Sequence, residues 1–189
     1  RNGDGKSSLL AMLAGRKEPD AGRVTMRAGT TIGVLDQADT LDDSLTIAQS
    51  VVGDMPEYEW AGDARVRDVI QGLLADLDWD AQVLGLSGGQ RRRVALAALL
   101  VKDWDIVALD EPTNHLDADS VVWLREFLKN YKGGLIVISH DVELVGETVN
   151  RVFYLDANRQ NIDIYNMNWK NYLRQRVADE ERRKKERAN

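Results

Sequence analysis

The sequence predicts an α/β fold on a mostly parallel sheet, with a helical lobe set into it. Three observations lead there. A glycine-rich turn, Gly3-Asp4-Gly5-Lys6-Ser7, runs straight into good helix formers. Short apolar strands alternate with helical stretches and end in polar residues, as in "IVALDEP" and "LIVISHD". Such alternation implies parallel strands with a site along their carboxyl edge. Residues 38–84 have a different character, with Val66, Val69, Ile70, Leu73, Leu74 and Leu77 recurring at helical spacing.

Taken in order, "SSLLAMLAG" reads as a helix that stops at Gly15. "RVTMR" and "TTIGVLDQ" read as short strands separated by a turn at Ala28-Gly29. The helical lobe spans about residues 38–100. Its length is ordinary and leaves no room for a long inserted arm. Ile106 to Leu109 form a buried strand, and 118–131 an amphipathic helix with Leu124, Phe127, Leu128 and Tyr131 on one stripe. "GGLIVISHD" and "RVFYLD" supply two further buried strands. Residues 1–165 thus form one domain, and 166–189 a charged helix that follows it.

Composition narrows the function classes. The 189 residues carry a net charge of −6, so bulk electrostatics do not announce a nucleic-acid binder. There are no cysteines, which excludes disulfides and thiolate metal sites and suits the cytoplasm. The apolar runs "VALAALLV" and "LIVI" are too short to span a bilayer.

The motifs carry the chemistry. Gly5-Lys6-Ser7 is the closing half of a phosphate-binding loop whose first glycine would precede Arg1. Asn2, Gly3, Asp4, Gly5, Lys6, Ser7 and Ser8 are the expected phosphate-binding set. Lys6 can reach a terminal phosphate and the Ser7 hydroxyl can ligate Mg²⁺. The bland alternative is a glycine-rich turn before an ordinary helix. Asp110, after an apolar run, is placed to hold Mg²⁺ directly or through water, and Glu111 to polarise an attacking water. In "LSGGQRRRVALAALL", Ser87 and Gln90 match a capping box. The box leaves Gly88 and Gly89 unexplained, because each weakens a helix by roughly 1 kcal/mol. Close approach of a ligand to the backbone explains them, so the stretch reads as a second anion-binding helix start.

"LSGGQ", "LDEPTNHLD" and "ISHD" together resemble the signature, Walker B, D-loop and switch-histidine sequences of ATP-binding-cassette ATPases, from Arg1 to about Tyr165. The resemblance implies a P-loop NTPase cassette with a RecA-like core, binding ATP and Mg²⁺ and paired head-to-tail with a second cassette. By position it implies Glu111 as catalytic base and His140 as γ-phosphate switch, with Ser7, Gln37 and Asp110 at the metal. Ser87, Gly88, Gly89 and Gln90 would contact the partner's ATP, with Asp117 as the D-loop aspartate. Taken alone, His140 is equally a loop residue before a helix capped by Asp141. His115 resembles a family residue, but no chemistry requires it, and it reads as structural or interface-forming.

"PTNHLD" with "SGGQRRRVALAALL" is similar to the ABC-F branch, two cassettes on one chain, many of them acting on the ribosome in translation or antibiotic resistance. "YNMNWKNYLRQRVADEERRKKERAN" resembles the start of its interdomain linker, which makes the chain a first cassette cut within the P-loop and the linker. Trp169, Tyr172 and Leu173 would pack on the cassette. Beyond Ala178, Asp179–Arg183, Glu180–Lys184 and Glu181–Lys185 would add about 0.2–0.5 kcal/mol each at i, i+4. The helix would then project as a solvated rod, presenting Arg182, Arg183, Lys184, Lys185 and Arg187 to rRNA or tRNA phosphates. The alternatives are the ATPase subunit of a membrane transporter and a non-hydrolysing, ATP-dependent interaction module.

Overall fold

The computed structural model describes residues 5–156 and 160–188. Arg1, Asn2, Gly3 and Asp4 lie outside the described residues, as does the side chain of Arg187.

Helix α1 (Lys6–Leu13) comes first, then strand β1 (Ile32–Leu35). The lobe follows as α2 (Ile47–Val52), α3 (Glu57–Trp60), α4 (Ala64–Leu74) and α5 (Gly88–Leu100). Next are β2 (Ile106–Asp110), α6 (Ala118–Lys129), β3 (Gly134–Ile138) and α7 (Val142–Thr148). The chain closes with β4 (Val152–Asp156), β5 (Asn161–Tyr165) and α8 (Trp169–Ala188). Strands β1, β2 and β3 form a parallel sheet in that order, Leu35 opposite Leu109 and Asp110 opposite Ile138. Parallel pairing sends all three strands to one edge, so Asp36-Gln37, Asp110-Glu111 and Ser139-His140 emerge together there.

Alternating sheet and helix faces bury one core. Val107, Ala108 and Leu109 are sealed beneath Val94, Leu96 and Ala97 of α5 and Leu124 of α6. Each large side chain so buried stabilises the fold by about 1.5–3 kcal/mol. The lobe joins the same core through Ile47, Val51, Val69 and Leu73. At Gly72 of α4 the backbone passes directly under the Trp123 ring, and a Cβ there would stand 2.2 Å from it. Glycine is required by that approach.

Two expected strands differ. Residues 23–27 pair with no described strand, and Val24 and Met26 are exposed. Strand-like composition needs a ladder neighbour, and none lies alongside. The turn at Ala28-Gly29 is as expected, with Gly29 at φ 80° and Thr30 N–H donating to the Arg27 carbonyl. "RVFYLD" does form β4, but it leaves the parallel sheet. It pairs antiparallel with β5, a strand the sequence reading did not anticipate, with Phe153 opposite Ile164. One face of this hairpin carries exposed Phe153, Ile162 and Ile164, so β4 is not the buried strand expected.

Candidate active site

The site grows from the sheet's carboxyl edge. Gly5 stands before α1 at φ 88°, a left-handed conformation suited to glycine, and no side chain caps the helix among the described residues. The first N–H groups of an α-helix have no partner within it, and an anion is one acceptor that can serve them. From the first turn of α1 the Ser7 hydroxyl donates to Asp110 Oδ2 at 2.7 Å, across 103 residues. Both are hard oxygen donors of the kind Mg²⁺ takes, and neighbouring ligands in its octahedron lie roughly 2.9 Å apart, from bonds of about 2.0–2.1 Å. The pair fits such an ion. No cluster of three or more His, Cys, Asp or Glu exists among the described residues, so phosphate oxygens and water would be among the remaining ligands. Gln37 is exposed at the end of β1, and no hydrogen bond joins it to Ser7 or Asp110 among the described residues.

Glu111 follows Asp110 in a left-handed conformation, φ 49°, unusual for a non-glycine residue. Its N–H donates to the Ile138 carbonyl at 2.7 Å, so the end of β3 fixes the turn. Glu111 as a whole is only 6% exposed. His140, at the end of β3, places Nε2 3.2 Å from Glu111 Oε1 and donates its backbone N–H to Oε2 at 3.3 Å. The structure therefore brings the two expected catalytic side chains into direct contact.

Ser87 caps α5 through the Gln90 N–H, and Gln90 Oε1 accepts from the Ser87 N–H, a complete capping box. Gly88 and Gly89 open onto a cleft of about 610 Å³ that Gln37, Glu111, His115 and His140 also line. The described phosphate-loop residues are not among its walls. Asp117 accepts from the Ser120 N–H at 2.8 Å and so caps α6; that bond holds its carboxyl below the usual range.

The family model described as "ABC transporter" matches residues 1–114. The chain belongs to that family of ATP-hydrolysing cassettes. It is 32% identical to the ATP-binding protein YdiF of Bacillus subtilis over 96% of its own length and 34% of the relative's. It is 32% identical to the energy-dependent translational throttle protein EttA of Mycobacterium tuberculosis, over 93% and 38% respectively. The chain spans about a third of the length of these curated relatives. Among solved structures it superposes on an RNase-L Inhibitor with a TM-score of 0.75 at 28% identity, covering 94% of this chain and 35% of that one. An archaeal ribosome recycling factor, aABCE1, in complex with a stalk protein, gives 0.72 at 27%, again over 94% and 35%.

Within this ABC cassette, three arginines hold the site together that the sequence reading passed over. Arg91 reaches Asp39 at 2.6 and 3.1 Å and Asp43 at 2.6 Å, fastening α5 to the segment after β1. That contact holds Asp39 below the usual carboxylate range. Arg92 donates to the backbone carbonyls of Asp36 and, at 2.8 Å, of Asp110. It ties the signature helix to the ends of β1 and β2 at once, and burial pushes its guanidinium down. Arg93 grips Asp76 with two nitrogens, at 2.5 and 3.0 Å, and the Leu73 carbonyl at 3.0 Å. A signal was available. Three bases at the start of a helix oppose its positive end, so each needs an acceptor elsewhere.

The tail of the cassette differs from expectation. Tyr172 is buried and stacks edge-on to Tyr165, with Trp169 beside it, while Leu173 stays exposed. Arg176 lies 4.1 Å from the Tyr154 ring centroid and donates to the hydroxyls of Tyr154 and Tyr172. Asp179 is buried, accepting from Gln175 and Arg182, and Arg183 reaches Asp163 on β5 at 3.5 Å rather than Asp179. Glu180 pairs back to Arg176, and no ion pair joins Glu180 to Lys184 or Glu181 to Lys185 among the described residues. The helix therefore lies on the hairpin as far as Arg183, because the β5 acid offers a partner from outside the helix. Arg182, Lys184 and Lys185 remain exposed. No described helix is long and apolar enough to cross a membrane.

Proposed function

We propose that this chain is the first ATPase cassette of an ABC-F-type protein, hydrolysing ATP with a second cassette and acting on the ribosome in translation or antibiotic resistance. The observation that carries the ATPase reading is the juxtaposition of Ser7 with Asp110 beside Glu111 and His140. In this mechanism α1 receives the terminal phosphates at its N-terminal end, with Lys6 adding charge. Ser7, Asp110 and Gln37 would hold Mg²⁺, which supplies neutralisation of phosphate charge when bound. Glu111, fixed by the β3 carbonyl and His140, orients a water and accepts its proton.

A shared site is supported by the signature glycines. A Cβ at Gly88 would meet nothing within 4 Å among the described residues. No described contact explains the glycine, whereas the close approach of a second cassette's ATP would. Asp117, which caps α6, would stand beside the surface that meets that partner.

The ribosomal reading rests on the similarity to a translational throttle protein and a ribosome recycling factor, and on Asn114-His115. Arg182, Lys184 and Lys185 are the bases available to RNA phosphates, a salt-sensitive contact. The family's transporter description favours a second reading, an ATPase subunit coupled to a membrane partner. The test is sedimentation of the full-length Glu111→Gln protein with ribosomes in ATP, with release by added salt and weakening on charge reversal at 182, 184 and 185. Fractionation with membranes and never with ribosomes would replace this reading by the transporter one.

A further inference from the structure

We propose that Arg125 is a positioning residue for His140, clamping the loop that carries the histidine to helix α6. The proposal rests on the ATPase reading above and assigns a residue that no motif includes.

The N-terminal half of α6 is joined to the helical lobe. Ser120 Oγ donates to the Gly72 carbonyl at 3.2 Å, and Trp123 Nε1 donates to Asp68 at 3.1 Å. The Trp123 ring sits over Gly72 of α4. Two residues further along, Arg125 reaches the opposite way. One of its terminal nitrogens donates to both carboxylate oxygens of Asp141 at 3.2 Å each, and the other to Glu143 Oε2 at 2.6 Å. Asp141 directly follows His140.

The same Asp141 carboxylate also caps α7, accepting from the Glu143 and Leu144 N–H groups at 3.1 and 3.0 Å. The Asp141 N–H in turn donates to Ser139 Oγ at 2.9 Å. His140 is thus bracketed. Its backbone N–H and imidazole face Glu111 on one side, and the next residue is held by Arg125 on the other. Its own ring is largely exposed, at 65%, so packing alone does not orient it.

Capping does not require the arginine, because an N-cap aspartate acts on the helix N–H groups by itself. Apolar contact does not replace it either. Leu124, Leu128 and Leu144 pack α6 near α7, but such contacts resist separation more than sliding. A planar guanidinium that donates to both Asp141 oxygens fixes register more firmly than a freely rotating ammonium does. Asp141 and Arg125 are mostly buried, whereas Glu143 is 72% exposed, so the Asp141 contact carries the effect and the Glu143 contact adds little.

The test uses the full-length protein with Arg125→Gln, Arg125→Lys, Glu143→Gln, and Arg125→Gln combined with His140→Ala. ATP hydrolysis is followed in steady state and in single turnovers, and folding by urea midpoint. Arg125→Gln is expected to lower kcat roughly 3- to 30-fold, with KM for ATP changed less than about twofold. Arg125→Lys should fall between, and Glu143→Gln should stay near wild type. In the His140→Ala background the Arg125→Gln effect should shrink below about twofold, since coupled residues are non-additive. An undiminished effect in that background would assign Arg125 to stability alone and overturn the proposal. So would an unchanged kcat, or a raised KM with kcat intact. Absence of hydrolysis by the wild-type protein would instead overturn the ATPase reading, and this proposal with it.

Discussion

Replacing Arg92 by methionine keeps most of the side-chain stem and deletes its donors to the Asp36 and Asp110 carbonyls. Hydrogen bonds to charged groups contribute about 1.5–3 kcal/mol each, so two give a gross loss of about 3–6 kcal/mol. Two effects reduce it. Arg92 lines the cleft, so water can reach the abandoned carbonyls at the strand ends. Burial already opposes the charged guanidinium, and methionine removes that penalty. The expected net destabilisation is about 2–3 kcal/mol. Urea unfolding at neutral pH reads it as a lower midpoint at an unchanged slope. Arg92→Lys, with one point of contact, should recover part of the loss. A difference below about 0.5 kcal/mol would place Arg92 among ordinary surface substitutions and refute its role as the tie between α5 and the sheet.

Other outcomes follow from the same geometry. Glu111→Gln keeps shape and the acceptor for the His140 N–H but removes the base, so turnover of the full-length protein should fall about 10²–10⁴-fold with ATP affinity retained; wild-type turnover would remove Glu111 from that role. Gly72→Ala pushes a Cβ into the Trp123 ring. It should destabilise by about 1–3 kcal/mol in urea unfolding, with partial recovery on adding Trp123→Leu. Asp76 is held below its ordinary pKa first by its hydrogen bond from Arg93. A carboxyl depressed in the folded state contributes stability above its unfolded pKa, and that contribution is lost as pH falls through the folded value. Stability should therefore drop below about pH 4, and Arg93→Gln should flatten that acid limb. An equally steep acid limb in that variant would show that the pair does not set it.

Local signals in the sequence determined much of this protein. Apolar runs ending in Asp110-Glu111 and Ser139-His140, alternating with helices, were enough to place polar ends on one sheet edge, since parallel pairing leaves no other arrangement. Gly5 before a helix, the Ser87–Gln90 box and the lobe's helical periodicity are equally local, involving residues a few positions apart. Tertiary structure decided whatever depended on a distant partner. Residues 23–27 look like a strand but have no described neighbour to pair with, while β4 found one in β5 and left the main sheet. Arg183 matched an i, i+4 acid on its own helix, yet Asp163 lies within reach from β5. The arginine run after Gln90 showed that acceptors were needed, and only packing chose Asp39, the Asp36 and Asp110 carbonyls, and Asp76. Periodicity reports the face a side chain occupies. Pairing is settled by the fold, because charges and strand edges take whichever partner comes within a few ångströms.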